Sequence, residues 1–366
     1  MTKLKEIAEQ AKVSVSTASR VLNKAQLSDK VSLNTREKVQ RIAEKLGYAS
    51  NYHSKSMRSG RSMAIGAVID IGFPDVNAKV SFRSSFGNQY FGQILSGIES
   101  CLHNNGYLLT IIGPDGGESG VARGARFIRE KRLDALVIFG AVLSNEVQAT
   151  ALNNLQGMPA VTVHCLGKTS LPNILCNESS AMELALRHLS ELGHKDVLWL
   201  GPSTSNQNFS INHREQFFWK SVNEMGMRGK VLHFREPDWN CDPSVEEFIR
   251  AARGEVKNLL LNRKNDFTAV VAYNDTYAIG ACQAIYSSGL KVPEDKSVLG
   301  FDNIHAQFGF VPLTSVSTQL DGIGFKAAQM AIKMANHPKS IREHEGYTEV
   351  VMPELIVRES TGKVLK

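Results

Sequence analysis

The chain has 366 residues, 42% of them hydrophobic and 21% charged, a balance that excludes a disordered tract and leaves room for two or three folded domains. Its formal charge of +6 is unevenly placed: residues 1–62 hold 13 Lys+Arg against 5 Asp+Glu, a surplus of +8 that leaves −2 on the rest; charge alone fits a nucleic-acid module fused to a different body and a solvated basic face equally well, and the helix pattern below favours the former. Five cysteines (Cys101, Cys165, Cys176, Cys241, Cys282) form no C-x-x-C pair, which argues against zinc and for reduced thiols. With no apolar leader and no run near the ~20 residues of a membrane span, a cytoplasmic location without a membrane partner is expected.

In chain order, Leu4, Ile7, Ala8 and Ala11 share one helical face, because three- and four-residue spacings stack on a helix. Lys12-Val13-Ser14 is long enough only for a tight turn. The next run buries Ala18, Val21 and Leu22 and leaves Val15, Ser16, Ser19 and Arg20 nearer solvent. Two short helices joined in this way predict a helix-turn-helix, whose second helix fits a DNA major groove. A third helix follows, with Ser32 as N-cap, Val39, Ile42, Ala43 and Leu46 as its apolar stripe, and Gly47 as its C-terminal stop. Residues 48–62 are polar and basic with little to bury, which on composition alone is a flexible linker.

From Met63 onward strands and helices alternate. Buried strands are predicted at 64–69, 107–112, 135–139 and 160–163, with helices at 90–103 and ending at 127–132. A second set is expected to begin near Asn173–Cys176, with a helix through Leu184–Leu192 and strands at 197–201, 231–234, 269–272 and 297–301. Such alternation predicts α/β lobes with parallel, doubly wound sheets, whose ligands bind at the carboxyl ends of the strands. No nucleophile elbow, H-E-x-x-H or phosphate loop is present, so no catalytic residue, cofactor or metal is assigned.

The segment Val13-Ser14-Val15-Ser16-Thr17-Ala18-Ser19-Arg20-Val21-Leu22-Asn23 resembles the recognition segment of the lactose/galactose repressor family of bacterial transcription regulators. Asn88-Gln89-Tyr90-Phe91, Leu192-Gly193-His194, Asn274-Asp275, Gly300-Phe301-Asp302-Asn303 and Pro312-Leu313-Thr314-Ser315-Val316 are similar to family segments in the same order. The resemblance implies a small all-α helix-turn-helix head (1–47), a hinge segment (48–62), a two-lobe body like periplasmic binding proteins (63–358) and a tail (359–366). The first lobe would comprise about 63–163 and 319–345, and the second about 164–318 and 346–358. Crossovers are expected near Val163–Asn173, Ser315–Leu320 and Gly346.

It also implies a homodimer on double-stranded operator DNA and a small effector, a sugar or sugar derivative, between the lobes. Arg20 is the best base reader, able to grip guanine O6 and N7, and Val15 and Ser16 occupy the family's specificity positions. Thr17, Ser19, Asn23, Thr35 and Arg36 fit phosphate contacts, with local capping or packing of the helix the weaker alternative for Thr17 and Ser19. In the hinge, Asn51 keeps the family asparagine and Met57 stands where a leucine wedges between base pairs. In the cleft, Arg214 matches the family's effector-binding arginine, Asp302 suits sugar hydroxyls, and Asn274 suits either the ligand or a helix cap. Trp239 resembles the family's sugar-stacking tryptophan but equally suits core packing, and Tyr90 and Phe91 would offer apolar faces from the first lobe. Asn177-Glu178 departs from the family's Asp-Asn, and 72–87 is a longer loop than usual. The rival readings are a sugar binder without DNA function and an enzyme on a doubly wound fold.

Overall fold

The computed structural model describes residues 4–22, 31–48, 60–69, 89–115, 117–140, 152, 155–165, 169–203, 209–237, 244–262 and 266–364. The chain divides into two compact units, Met1–Ser62 and Met63–Lys366.

The first unit holds α1 (Leu4–Ala11), α2 (Val15–Leu22) and α3 (Leu33–Lys45). Ile7, Ala8 and Ala11 meet Ala18 and Val21 of α2 and Val39 and Ala43 of α3 in one small core. The turn between α1 and α2 closes with Lys12 in the left-handed region (φ 57°) and a 2.9 Å bond from Val13 N to Ala8 O. Ser14 Oγ accepts from Thr17 N at 3.1 Å and so caps α2. Ser32 caps α3 in the same way, and Gly47 (φ 59°) follows its end, where a side chain would be strained.

The second unit begins with β1 (Ala64–Val68), α4 (Gln89–Asn104), β2 (Leu108–Ile112), α5 (Gly120–Arg129), β3 (Ala135–Phe139), β4 (Ala160–Val163) and β5 (Asn173–Cys176). It continues with α6 (Glu178–Glu191), β6 (Asp196–Pro202), α7 (Phe209–Glu224), β7 (Arg228–Phe234), α8 (Val245–Leu261) and β8 (Ala269–Ala272). Then come α9 (Asp275–Ser287), β9 (Ser297–Phe301), β10 (Thr314–Ser317), α10 (Leu320–Asn336), α11 (Ser340–Glu343), β11 (Thr348–Val351) and β12 (Glu354–Ile356). The strands form two six-stranded sheets, ordered β11-β5-β4-β3-β1-β2 and β12-β10-β9-β8-β6-β7. All pairs are parallel except β10 with β12. β1, β3 and β4 are buried at every residue, as strands covered on both faces must be.

On the first sheet α4 and α10 cross almost backbone to backbone. A Cβ on Gly97 would lie 1.9 Å from the Asp321 carbonyl oxygen, and one on Gly324 would lie 2.0 Å from that of Ile94.

Three expectations are corrected. β5 and β11 belong to the first sheet, with β5 between β4 and β11 in parallel register (Thr162↔Asn173, Thr348↔Asn173), although 164–318 and 346–358 were assigned to the second lobe. A four-residue apolar strand reads the same in either sheet; only its partners decide. The crossings therefore fall after Cys176, after Ser317 and between Val351 and Glu354; only the second agrees with the expected positions. Finally, 359–364 is no loose tail. Ser360 is fully buried, Val298 N donates to Ser360 O at 2.8 Å, and His194 bridges Thr268, Ser297 and Gly362.

Candidate functional site

In the first unit, α2 turns Ala18 and Val21 inward and Val15 and Ser16 outward. Val15 is 45% exposed and Ser16 is exposed, while Thr17, Ser19 and Arg20 are half-buried. The Thr17 hydroxyl is bonded to Ser14 Oγ at 2.8 Å and the Thr35 hydroxyl to Ser32 Oγ at 2.8 Å, so both take part in the caps of their helices. Arg36 donates through Nε to Val31 O at 2.9 Å, which anchors its guanidinium beside the start of α3. Asn23, Asn51, Met57 and Trp239 lie outside the described residues.

In the second unit, the carboxyl ends of both sheets meet around Arg214. This residue lies in α7 and is 5% exposed. Its Nε and Nη2 donate to the two carboxylate oxygens of Glu178 at 2.8 Å each, a fork-on-fork pair. Nη1 donates to Tyr273 O at 2.6 Å, and Nη2 also reaches Asp302 Oδ1 at 3.4 Å. The rings of Tyr273 and Phe301 both pack near the guanidinium, each centroid 4.9 Å from it. Asp302 Oδ1 accepts in addition from Thr318 Oγ1 at 3.2 Å.

Two residues of the first lobe complete the cluster. The Tyr90 hydroxyl is hydrogen-bonded to His164 Nδ1, and the buried His164 Nε2 has no hydrogen-bond partner among the described residues. His164 (φ 51°) and Asp302 (φ 85°) both hold the left-handed backbone that non-glycine residues rarely adopt, strain that marks sites held by surrounding structure. At Asp302 that structure is supplied by Asp275, which accepts from Ile304 N at 2.6 Å and Ser315 Oγ at 2.7 Å.

The charges are tightly linked. Burial pushes the Glu178 carboxyl up, but the adjoining Arg214 guanidinium more than offsets this and holds it below its usual value. Burial opposes the charge on Arg214, yet Glu178 and Asp302 keep it firmly protonated. Asp302 sits above the usual carboxylate range, chiefly from burial; Arg214 pulls it down, while the like charge of Glu178 pushes it further up. Burial drops His164 to about 4, so its ring is neutral near pH 7.

The structure thus brings together Arg214, Asp302 and Tyr90 of the predicted residues. Asn274 is spent on α9: its side chain accepts from Tyr277 N at 3.1 Å. Phe91 is 6% exposed and packs on Phe139 in the core of the first lobe. Glu178, Tyr273, His164 and Thr318 were missed. Glu178 carried a signal, as a new carboxylate at a departure from the family pattern. His164 directly follows a buried strand, at the end where doubly wound sheets bind ligands. Among the described residues no group of His, Cys, Asp and Glu is arranged to hold a metal, and no helix is long and apolar enough to cross a membrane.

Comparison with known proteins gives two family matches: "Bacterial regulatory proteins, lacI family" over residues 3–51, and "Periplasmic binding protein-like domain" over residues 186–361. The HTH-type transcriptional repressor PurR of Pasteurella multocida is 27% identical over 364 residues, covering 98% of each chain. Among solved structures, the Lac repressor dimer bound to operator and the anti-inducer ONPF has a similar fold (TM-score 0.74, 23% identity, 99% of each chain). The transcriptional regulator CelR in complex with cellobiose is also similar in fold (TM-score 0.62, 21% identity, 98% of this chain and 100% of the other).

Proposed function

We propose that this chain, whose residues 3–51 match the lacI family of bacterial regulatory proteins, is a transcriptional repressor of that family that binds operator DNA as a homodimer and releases it when a sugar or sugar derivative enters the cleft between its lobes. It is a regulator rather than an enzyme. The observation that carries the reading is the outer face of α2. Val15, Ser16 and Arg20 lie on an eight-residue helix whose other face is locked to α1 and α3, on a segment with a surplus of +8. Such a helix is presented rigidly to a groove, and a surrounding positive charge favours the phosphate backbone whatever the sequence. Arg20 is the proposed base reader, Ser19 and Arg36 touch phosphates, and Asn51 and Met57 act at the hinge.

A second copy is supported by an aromatic patch on the second lobe. Phe308 is 77% exposed and Phe310 60%, with Tyr286 edge-on to Phe310 at 4.5 Å, beside a hollow of about 320 Å³. Large apolar side chains gathered in this way mark interaction surfaces. Two heads related by a two-fold axis would read a pseudo-palindrome. A sugar is supported by the Asp302 carboxylate as acceptor beside aromatic rings at one crevice, and by the cellobiose bound to the similar CelR. Effector binding and operator release would then be two sides of one coupling free energy.

The test is fluorescence anisotropy of the full chain on duplexes from upstream of its own gene, repeated with a panel of sugars. Specific binding should exceed that of a shuffled duplex by roughly a thousandfold or more. Equal affinity for both duplexes sinks the repressor reading, and sedimentation as a monomer at micromolar concentration sinks the dimer.

A further inference from the structure

Arg214 has five N–H donors, and four are engaged: two on Glu178, one on the Tyr273 carbonyl and one toward Asp302. A ligand carboxylate or phosphate would have to displace Glu178 to obtain the fork. The rings of Tyr273 and Phe301, each centroid 4.9 Å from the guanidinium, pack against it and disfavour its moving to another partner. The cluster therefore reads as one cation against two carboxylates, with His164 neutral beside them. Asp302 Oδ1 is used by Thr318 and Arg214, while Oδ2 makes no hydrogen bond among the described residues. Out of bulk water, a surplus negative charge repels anions and favours a cation that brings its own donors.

We propose that the effector carries a protonated amine, as an amino sugar does, and that Asp302 Oδ2 receives the ammonium while Glu178, by occupying Arg214, excludes anionic ligands. This rests on the reading of the crevice as the effector site. The Tyr90 ring, joined to His164 and near enough to Asp302 to feel its charge, lies at the same crevice, and a cation also gains against an aromatic ring. Asp302 holds its carboxyl above the usual range because burial and Glu178 both disfavour its charge, and an ammonium would relieve that penalty.

Calorimetry on the full chain with matched probes tests the assignment: glucosamine against glucose, galactosamine against galactose, and glucose 6-phosphate as the anion. The amines should bind about tenfold or more tightly than their parent sugars, and the phosphate should not bind. Asp302→Asn should abolish the amine preference. Glu178→Gln, which keeps the shape and removes the charge, should reduce that preference and admit the phosphate. Parent sugars binding as tightly as amines, no amine binding at all, or a preference that survives both substitutions would each overturn the proposal. Operator binding is read separately by anisotropy. A chain that binds upstream DNA but prefers neutral sugars overturns the amine assignment alone. One that prefers amines but binds no upstream DNA overturns the repressor reading alone.

Discussion

The two candidate sites handle polar groups in opposite ways. On α2 the reading residues point outward and the nearby hydrogen bonds are local caps, Ser14 with Thr17 and, on α3, Ser32 with Thr35. Around Arg214 the groups are buried and already paired with one another, Glu178 and Asp302 with the guanidinium and Tyr90 with His164. An exposed site of this kind costs the fold little and depends on salt; a buried, self-paired one is part of the fold, and its residues cannot be removed without destabilising the lobe. Substitutions should therefore separate into those that affect binding alone and those that affect stability first.

The largest effect is expected at the centre of the buried cluster. Arg214→Ala leaves Glu178 and Asp302 in a closed crevice without their cation, and should cost about 3–5 kcal/mol in urea unfolding along with all effector response. A loss below about 1 kcal/mol would show that water enters the crevice freely and that the contrast is overdrawn.

Acid should break the same region next. His164 is held at about 4 in the folded chain against 6.5 when exposed, so the unfolded chain takes up the proton first. Its contribution is fully present above pH 6.5 and is lost as the pH falls toward 4, about 3 kcal/mol across that window. Asp302, raised by burial, works in the opposite sense, so the decisive measurement is the difference between the wild type and His164→Asn. Melting curves that fall in parallel for both proteins from pH 6.5 to 4 would remove His164 from the account.

The head should respond in affinity but not in stability. Arg20→Ala is expected to lose about 1–3 kcal/mol on the preferred duplex and to relax preference at one base position, with the melting temperature of the chain unchanged. A selected binding-site profile identical to that of the wild type would show that Arg20 contacts phosphate only. The smallest effect belongs to Arg36. Its removal should weaken all duplexes alike and lower the salt slope by about one, and an unchanged slope would mean that its role is structural, within the head, where it bonds Val31 O.

The sequence by itself determined whatever repeats within a few residues. The apolar faces of α1, α2 and α3, the Ser32 cap and the Gly47 stop follow from helical spacing and local hydrogen bonding, which act over one or two turns. The buried runs of β1, β3 and β4 were legible for the same reason, as were Arg214 and Asp302, through their places in recognisable segments. Tertiary structure alone decided what depends on partners far along the chain. β5 joined the first sheet because β4 and β11 flank it, and the residues after Arg358 were drawn in by β9 and His194. Arg214 reads on its own as an open ligand grip. It became half of an ion pair only because Glu178, 36 residues earlier, starts a helix at the same crevice. Periodicity carries no information about such meetings: which buried charges neutralise one another is set by where separate strands end, and the free energy of taking them out of water follows from that placement.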